Sequence, residues 1–556
     1  MATSVVDLFG LALFIPILAA IADSGLLKGS GILAQAKQFS GIESNNVFLL
    51  YLFIFAFIFF MLRSLFILWS NWRQTRFVYD INKYIGTTTY AYYLGMKYED
   101  FMKYDSSQVV RELTISHNHF ASFLIKALLL INSELVVLFL VVFGIAIYDV
   151  KVFFLILVTI FPVAVLFNLL VKKKMSAFGK RQNELTPKLY KNSNRGIFGF
   201  IDVKLRAKEK TLLNDYSSTI SELNEIGLRT SVVGIIPAKL FELVTVGGLL
   251  LIFVYGAFLA DNPNIVLPLI ALYAAAGYRV IPSLSKIIPS FLHLQQYAYL
   301  FKIYTEPLKE KANEHILHKE QAQILTFETQ VDLKDITFHF KDEKTPFFNS
   351  INLTVKKGET IGIIGRSGSG KTTLVKMIAG FIQPQKGAIY VDSEKLTEHN
   401  FSAWRKKLSY VQQSPYIENT SLARNIAFLE ENINEELLLK SIQEACLGDL
   451  ITSISPFDFE ILENGKNLSG GQKQRILIAR ALYHQAEFII LDEATSALDN
   501  ETENEINDTV ANLKKIGTTL VIIAHRYSTL KHTDRIIEME SGSIINEMSY
   551  ANLEIK

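Results

Sequence analysis

The chain has 556 residues, half of them hydrophobic, and its mean hydropathy is +0.25. This length exceeds that of a single domain. The formal net charge of +2 gives no strongly basic surface that would indicate a nucleic acid partner. Cys446 is the single cysteine, which excludes an internal disulfide framework and argues against a thiolate metal site. Apolar residues concentrate before residue 290 and charged residues after 303, which predicts a membrane region followed by a soluble one.

Six apolar stretches in the first half are long enough to cross a bilayer, which takes about 20 residues. They are 5–23, 47–69, 121–148, 152–171, 231–259 and 264–284. The first ends in Ala20-Ile21-Ala22, which imitates a signal-peptide cleavage site, but no basic residue precedes it, so a span is favoured. The long connections 70–119 and 172–230 are rich in Lys and Arg. They are therefore predicted to face the cytoplasm, as are both chain ends.

Ionisable side chains inside predicted spans are costly and indicate functional positions. Four cations lie at the level of the cytoplasmic leaflet, judged by their distance along each helix: Arg63, Lys126, Lys239 and Arg279. Two interpretations stay open. The cations reach the membrane surface by snorkelling, and Lys239 pairs with Glu242. Alternatively, they form a basic entrance for an anionic lipid head group, and Arg63 and Arg279 are then the candidate substrate-binding residues.

A glycine-rich segment in the second half has the spacing of a phosphate-binding loop. The segment runs from Gly365 to Thr372 with the sequence GRSGSGKT. A strand is predicted over 360–364 and a helix over 372–380, which is the context that places backbone N–H groups around phosphates. Lys371 is expected to reach the β- and γ-phosphates, and the Thr372 hydroxyl to bind Mg²⁺. The motif by itself predicts a nucleotide site.

The pentapeptide LSGGQ at 468–472 is the most specific motif in the chain. It lies between the phosphate loop and the acidic pair Asp492-Glu493, which ends a predicted buried strand. With these motifs in this order, the chain resembles the ATP-binding cassette (ABC) exporters, in the form of a half-transporter with a permease fused to an ATPase. Residues 274–283 are similar to the same region of bacterial lipid-linked oligosaccharide flippases.

The resemblance implies a fold class and a domain organisation. The expected fold is a membrane all-α transmembrane domain with six helices, followed by an α/β P-loop ATPase domain. The expected boundaries are 1–302 for the transmembrane domain, 303–327 for a charged linker and 328–556 for the nucleotide-binding domain. Short coupling helices that press on the ATPase are expected near 98–101 and 196–202.

The resemblance also implies the site residues, with ATP as ligand and Mg²⁺ as cofactor. Asp492 and Gln413 would hold Mg²⁺ together with Thr372, and Gln413 would also contact the attacking water. Glu493 would be the general base, and His525 would contact the γ-phosphate. Other ATP-binding residues would be Phe340, which stacks on adenine, Gly365, Arg366, Ser367, Gly368, Ser369, Gly370, Lys371, Thr372, Thr373, Ser469, Gly470, Gly471, Gln472 and Asp499.

In this family the pentapeptide of one subunit closes over the ATP held by another. The resemblance therefore implies a partner, either a second copy of the chain or a related half-transporter. The implied function is an ATP-hydrolysing exporter or flippase that moves an amphipathic, anionic lipid-linked substrate from the inner leaflet outward. The location would be the inner or plasma membrane, with the ATPase in the cytoplasm. The alternatives are a multidrug or peptide exporter, and an ATP-gated channel or regulator on the same frame.

Overall fold

The fold is described from a computed structural model of the chain. The structure describes residues 32–148, 150–258, 266–311, 325–340, 345–414, 416–451, 454–493, 500–524 and 526–553. These residues form two compact units. The first unit holds the chain up to Gly95 and Tyr104–Ile316, and the second holds Met96–Lys103 and the chain from Leu317. The predicted first span, 5–23, lies outside the described residues.

The first unit is built from helices. In chain order, the described helices up to residue 311 are α1 Ile32–Ser40, α2 Asn45–Leu94, α3 Tyr98–Phe101, α4 Ser106–Arg111, α5 His117–His119, α6 Lys126–Tyr148, α7 Val150–Phe198, α8 Phe200–Leu205, α9 Glu209–Phe258, α10 Val266–Tyr297 and α11 Tyr299–Lys311. Of these, α3 belongs to the second unit. Turns of π-helix, Glu112–Ser116 and Phe120–Ile125, join α4, α5 and α6.

Four helices among the described residues are long and apolar enough to cross a membrane. They are Asn45–Leu94, Ser106–Ile147, Phe153–Phe198 and Glu209–Val254. They agree with four of the predicted spans, whereas the predicted span 264–284 begins outside the described residues and continues into α10. The 50 residues of α2 measure about 75 Å at about 1.5 Å per residue, more than twice the thickness of a hydrocarbon core. The helix therefore continues beyond the membrane.

Helix α11 occupies the first part of the segment that the charge pattern predicted to be a linker. Its Leu300 and Tyr304 are completely buried, and the Tyr304 hydroxyl donates a hydrogen bond of 3.1 Å to the backbone oxygen of Glu112. These apolar residues are four apart and share one helix face. The exposed, charged Glu306 lies in the same segment, so the charge pattern predicted a linker there and not a packed helix. The segment is therefore helical as far as Lys311.

The second unit contains two sheets. Its described strands are β1 Gln330–Phe338, β2 Phe348–Lys356, β3 Thr360–Gly365, β4 Lys386–Val391, β5 Glu394–Lys395, β6 Leu408–Val411, β7 Phe488–Asp492, β8 Thr519–Ile523, β9 Arg535–Glu540 and β10 Ser543–Met548. The order β2-β1-β4-β5 forms an antiparallel sheet, and β10-β9-β3-β8-β7-β6 forms a second sheet in which only β10 is antiparallel. The carboxyl ends of β3, β6 and β7 therefore point to the same edge.

Helices cover the second sheet. The described ones are α12 Lys371–Ile378, α13 Phe401–Lys407, α14 Leu422–Ile426, α15 Glu435–Glu444, α16 Gly470–Tyr483, α17 Asn500–Lys515 and α18 Tyr550–Leu553. All five residues of β7 are buried, as expected of an apolar central strand in a parallel sheet. The Trp404 ring packs 5.5 Å from the Phe488 ring, and its Nε1 donates to the backbone oxygen of Ile378 at 2.7 Å. This core holds α12 and α13 against the sheet.

Candidate functional site

The phosphate loop turns sharply after β3 because two of its glycines admit close neighbours. Gly365 has φ +150°, and an added Cβ would lie 2.2 Å from the backbone oxygen of Met539. Gly370 has φ +105°, and its Cβ would lie 2.6 Å from the Phe348 ring. A side chain at either position would clash and strain the backbone. Between them, the Ser369 hydroxyl is buried and finds no hydrogen-bond partner among the described residues, so it is available to a ligand.

Lys371 closes the loop from the first turn of α12. Its ammonium donates to the backbone oxygens of Gly365 at 2.8 Å and Arg366 at 3.1 Å, and the side chain is 5% exposed. Burial lowers the pKa of Lys371, and the carboxylates of Glu493 and Asp492 act in the opposite direction. A buried ammonium with uncharged acceptors gains from a phosphate anion. The loop tip from Arg366 through Ser367 to Gly368 is exposed, which leaves a route for such a ligand.

Asp492 and Glu493 stand at the carboxyl end of β7. Asp492 is buried, and this burial raises the pKa of its carboxyl group, as does the nearby charge of Glu493. The Tyr410 hydroxyl donates a hydrogen bond of 2.5 Å to the Asp492 carboxylate, which acts in the opposite direction. Glu493 lies in the left-handed region with φ +52°, which costs about 1–3 kcal/mol. Its backbone N–H donates to the Ile523 oxygen at 3.1 Å. Such strain is typical of residues held in place at functional sites.

The residues predicted to hold Mg²⁺ carry a suitable set of donors. Asp492, Thr372 and Gln413 supply carboxylate, hydroxyl and amide oxygens, the donor types that Mg²⁺ prefers. A divalent cation beside Asp492 would offset the burial of its carboxylate. Gln413 is exposed, and its segment is fixed because the Gln474 side chain donates to the backbone oxygens of Gln412 and Gln413 at 3.2 Å each. The set therefore fits the ion.

The pentapeptide forms the amino terminus of α16. The Ser469 hydroxyl accepts a hydrogen bond from the backbone N–H of Gln472 at 3.1 Å, and the Gln472 side chain accepts one from the Ser469 N–H at 2.9 Å. This capping box fixes the first turn. Ser469 and Gly470 are exposed, whereas Gly471 is buried. An exposed amino terminus of a helix of 14 residues favours an anion.

The structure describes two further predicted ATP-binding residues, Phe340 and Thr373. Phe340 follows β1 with 41% exposure, and its ring lies 5.1 Å from Phe338 and 5.3 Å from Phe347. The half-buried Thr373 belongs to the first turn of α12. His525 and Asp499 lie outside the described residues. The roles of all site residues stay predictions.

The candidate substrate residues lie on two helices of the first unit. Arg63 in α2 lies 5.1 Å from the centroid of the Phe60 ring, and Arg279 in α10 is half-buried. Sequence reasoning missed another polar contact in this unit. Glu134, 8% exposed, accepts hydrogen bonds from the Lys286 ammonium at 2.6 Å and the Ser283 hydroxyl at 2.8 Å. Lys286 lies beyond residue 284, the predicted end of that span.

Residues 348–496 match the family model described as ABC transporter. A leukotoxin translocation ATP-binding protein of Pasteurella haemolytica-like sp. (strain 5943B) is 40% identical over 238 residues, which are 42% of this chain and 33% of that protein. An ATP-dependent lipid A-core flippase of Saccharophagus degradans is 30% identical over 366 residues, 65% of this chain and 60% of that protein. The matched part is thus less than two thirds of either relative.

A solved structure described as a bacterial Atm1-family ABC exporter with ATP bound is similar over the whole chain. The TM-score is 0.76 at 19% identity, and the match covers 99% of this chain and 96% of that one. At this identity the likeness establishes the fold. It confirms the predicted fold class, helical membrane domain followed by ATPase domain. Together with the four candidate spans, this fold indicates a multi-pass membrane protein.

Proposed function

Because the chain carries an ABC transporter ATPase domain and has the fold of an ABC exporter, we propose that it is a half-transporter that hydrolyses ATP to move a substrate across the membrane. The observation that carries the proposal is the group around Lys371. Its buried ammonium, the buried Ser369 hydroxyl without a partner among the described residues, and the acidic pair Asp492-Glu493 stand at the edge where β3 and β7 end.

Each of these residues has a separate role in ATP hydrolysis. Lys371 and the backbone N–H groups of the phosphate loop bind the phosphates, and Ser369 donates its hydroxyl to them. Thr372, Gln413 and Asp492 would hold Mg²⁺, which supplies positive charge against the phosphate oxygens when bound. Glu493 accepts a proton from the attacking water. His525 contacts the γ-phosphate by family resemblance.

We propose that two chains form the working unit, as a homodimer or with a related half-transporter. The pentapeptide supports this arrangement because Ser469 and Gly470 are exposed while the rest of the first turn is fixed by the capping box. Around α8, five large apolar side chains are also exposed: Ile197, Phe198, Phe200, Ile201 and Leu205. Such a patch is typical of a protein interaction surface. It coincides with the second predicted coupling helix.

We propose an amphipathic anionic lipid, such as a lipid-linked oligosaccharide, as the substrate. The relatives named lipid A-core flippases support a lipid, and the cations Arg63 and Arg279 support an anionic head group. The relatives named leukotoxin translocation proteins favour a second candidate, export of a polypeptide. An ATPase screen of the chain in liposomes tests the choice. Polyprenyl-pyrophosphate sugars and anionic phospholipids should stimulate turnover, whereas selective stimulation by peptides or hydrophobic drugs would contradict a lipid substrate.

Replacing Arg63 and Arg279 together by alanine is expected to lower substrate-stimulated ATPase more than basal ATPase. The reason is that the two cations would contact the head group and take no part in hydrolysis. The measurement is turnover in liposomes with and without the best stimulating lipid. The control is Arg229→Ala, because Arg229 pairs with Glu225 on an exposed helix face. Equal losses of basal and stimulated turnover would indicate a folding or snorkelling role instead.

A further inference from the structure

The sheet register places one tyrosine directly against the predicted Mg²⁺ ligand. Tyr410 of β6 pairs with Ile490 of β7, two residues before Asp492. Its hydroxyl donates to the Oδ2 of Asp492 at 2.5 Å. Asp492 is buried, so its carboxylate depends on such donors for its orientation. Tyr410 is therefore in a position to set the rotamer of this side chain.

The Tyr410 ring also contacts a second aromatic side chain, which connects it to residues farther from Asp492. Its centroid lies 6.3 Å from that of Phe381 in an edge-on arrangement. The Phe381 ring in turn lies 5.6 Å from the ring of Tyr98. Tyr98 begins α3 in the segment Met96–Lys103, which belongs to the second unit although it lies far earlier in the chain. The rings thus form a continuous path from this segment to Asp492.

Polar contacts hold the segment Met96–Lys103 against the rest of the second unit. The Lys376 ammonium donates to the Tyr98 hydroxyl at 2.9 Å and lies 5.0 Å from the centroid of its ring. The Lys97 ammonium donates to the Glu398 carboxylate at 2.6 Å. This second pair is exposed, so it contributes little energy. The contact of Tyr98 with Lys376 and Phe381 is therefore the principal attachment at this point.

We propose that Tyr410 is a positioning residue for Asp492. Through Phe381, which lies between the rings of Tyr98 and Tyr410, the orientation of the Asp492 side chain depends on whether Tyr98 is packed against Phe381. The inference rests on the proposed function because it takes Asp492 as a ligand of Mg²⁺. When Tyr98 is packed against Phe381, it restricts the motion of the Phe381 ring, and Phe381 in turn restricts the Tyr410 ring. When the segment leaves, Phe381 loses a packing partner and Tyr410 gains rotational freedom. The affinity for the cation then falls.

Removing the phenol hydroxyl tests the contact. In the purified chain in detergent with ADP, Tyr410→Phe should weaken Mn²⁺ binding about tenfold, measured by electron paramagnetic resonance titration, because a hydrogen bond to a charged group is lost. Nucleotide binding without divalent cation and the melting temperature should stay unchanged. The matched control is Tyr390→Phe, because Tyr390 lies on β4 in the other sheet and its ring contacts Lys334. An Mn²⁺ affinity within twofold of the original chain overturns the proposal.

A double-mutant cycle tests the path. Tyr98→Ala should weaken Mn²⁺ binding by several fold, and adding it to Tyr410→Phe should weaken binding no further, because both act through one path. Tyr98→Phe keeps the ring contacts with Phe381 and Lys376 and loses only the hydrogen bond to the hydroxyl, so it should bind Mn²⁺ more tightly than Tyr98→Ala. Additive effects of Tyr98→Ala and Tyr410→Phe overturn the proposed dependence of Asp492 on Tyr98. If the original chain with nucleotide binds no Mn²⁺, the proposed function fails as well, and this outcome is distinct from an unchanged Tyr410→Phe variant.

Discussion

Replacing Glu493 by glutamine is expected to lower ATP turnover by about 10²–10⁴-fold, the usual contribution of general base catalysis. Glutamine keeps the shape of the side chain but cannot accept a proton from the attacking water. ATP binding should persist because Lys371 and the glycines of the phosphate loop are unchanged. Turnover and nucleotide affinity of the purified protein provide the measurement.

The matched control for this variant is Glu487→Gln. Glu487 directly precedes β7, whose other end carries Asp492, and its carboxylate accepts hydrogen bonds from Lys357 and Lys407. We expect this change to alter thermal stability and leave the chemical step intact. Near-normal turnover of Glu493→Gln would refute its role as the base. An equal loss in both variants would point to a general effect on the fold.

The second large effect is expected from mixed dimers. One chain carries Ser469→Arg and the other carries Lys371→Ala, each of which should abolish hydrolysis in a uniform dimer. If each ATP site takes its phosphate loop from one chain and its pentapeptide from the other, the mixed dimer retains one intact site. Arginine replaces the exposed cap of α16 with a large cation, and alanine removes the buried ammonium. Turnover of tagged and purified mixed dimers provides the measurement.

The control places both substitutions in one chain and pairs that chain with an unchanged copy. In the composite arrangement, each of its sites then lacks one part, so turnover should be lost. If each site were built within a single chain, the unchanged copy would keep the control active and the mixed dimer would be dead. The two arrangements therefore predict opposite results. Loss of the Ser469 cap costs about 1 kcal/mol, which a melting curve detects separately.

Local motifs predicted the phosphate loop well, because its chemistry depends on neighbours in sequence. Gly365 and Gly370 occupy positions where a positive φ and close contacts require glycine. The acidic pair was likewise predicted from its place at the end of a buried strand. Such features follow from a few consecutive residues.

Contacts between distant residues could not be predicted in the same way. Tyr410 meets Asp492 only because β6 pairs with β7 in one register, and a shift by one residue would point it to the other face. Lys286 reaches Glu134 through the packing of α10 on α6. Gln474 fixes the segment of Gln413 from α16. In each case the partner is chosen by tertiary structure, which hydrophobic patterns do not specify.

The most direct test of the two-chain ATP site is the mass of the purified chain in detergent, determined by light scattering with ATP, together with its turnover. We predict that the species that hydrolyses ATP contains two chains, and that Glu493→Gln with ATP is also a two-chain species. A single chain that hydrolyses ATP at the full rate would contradict a site shared between two chains.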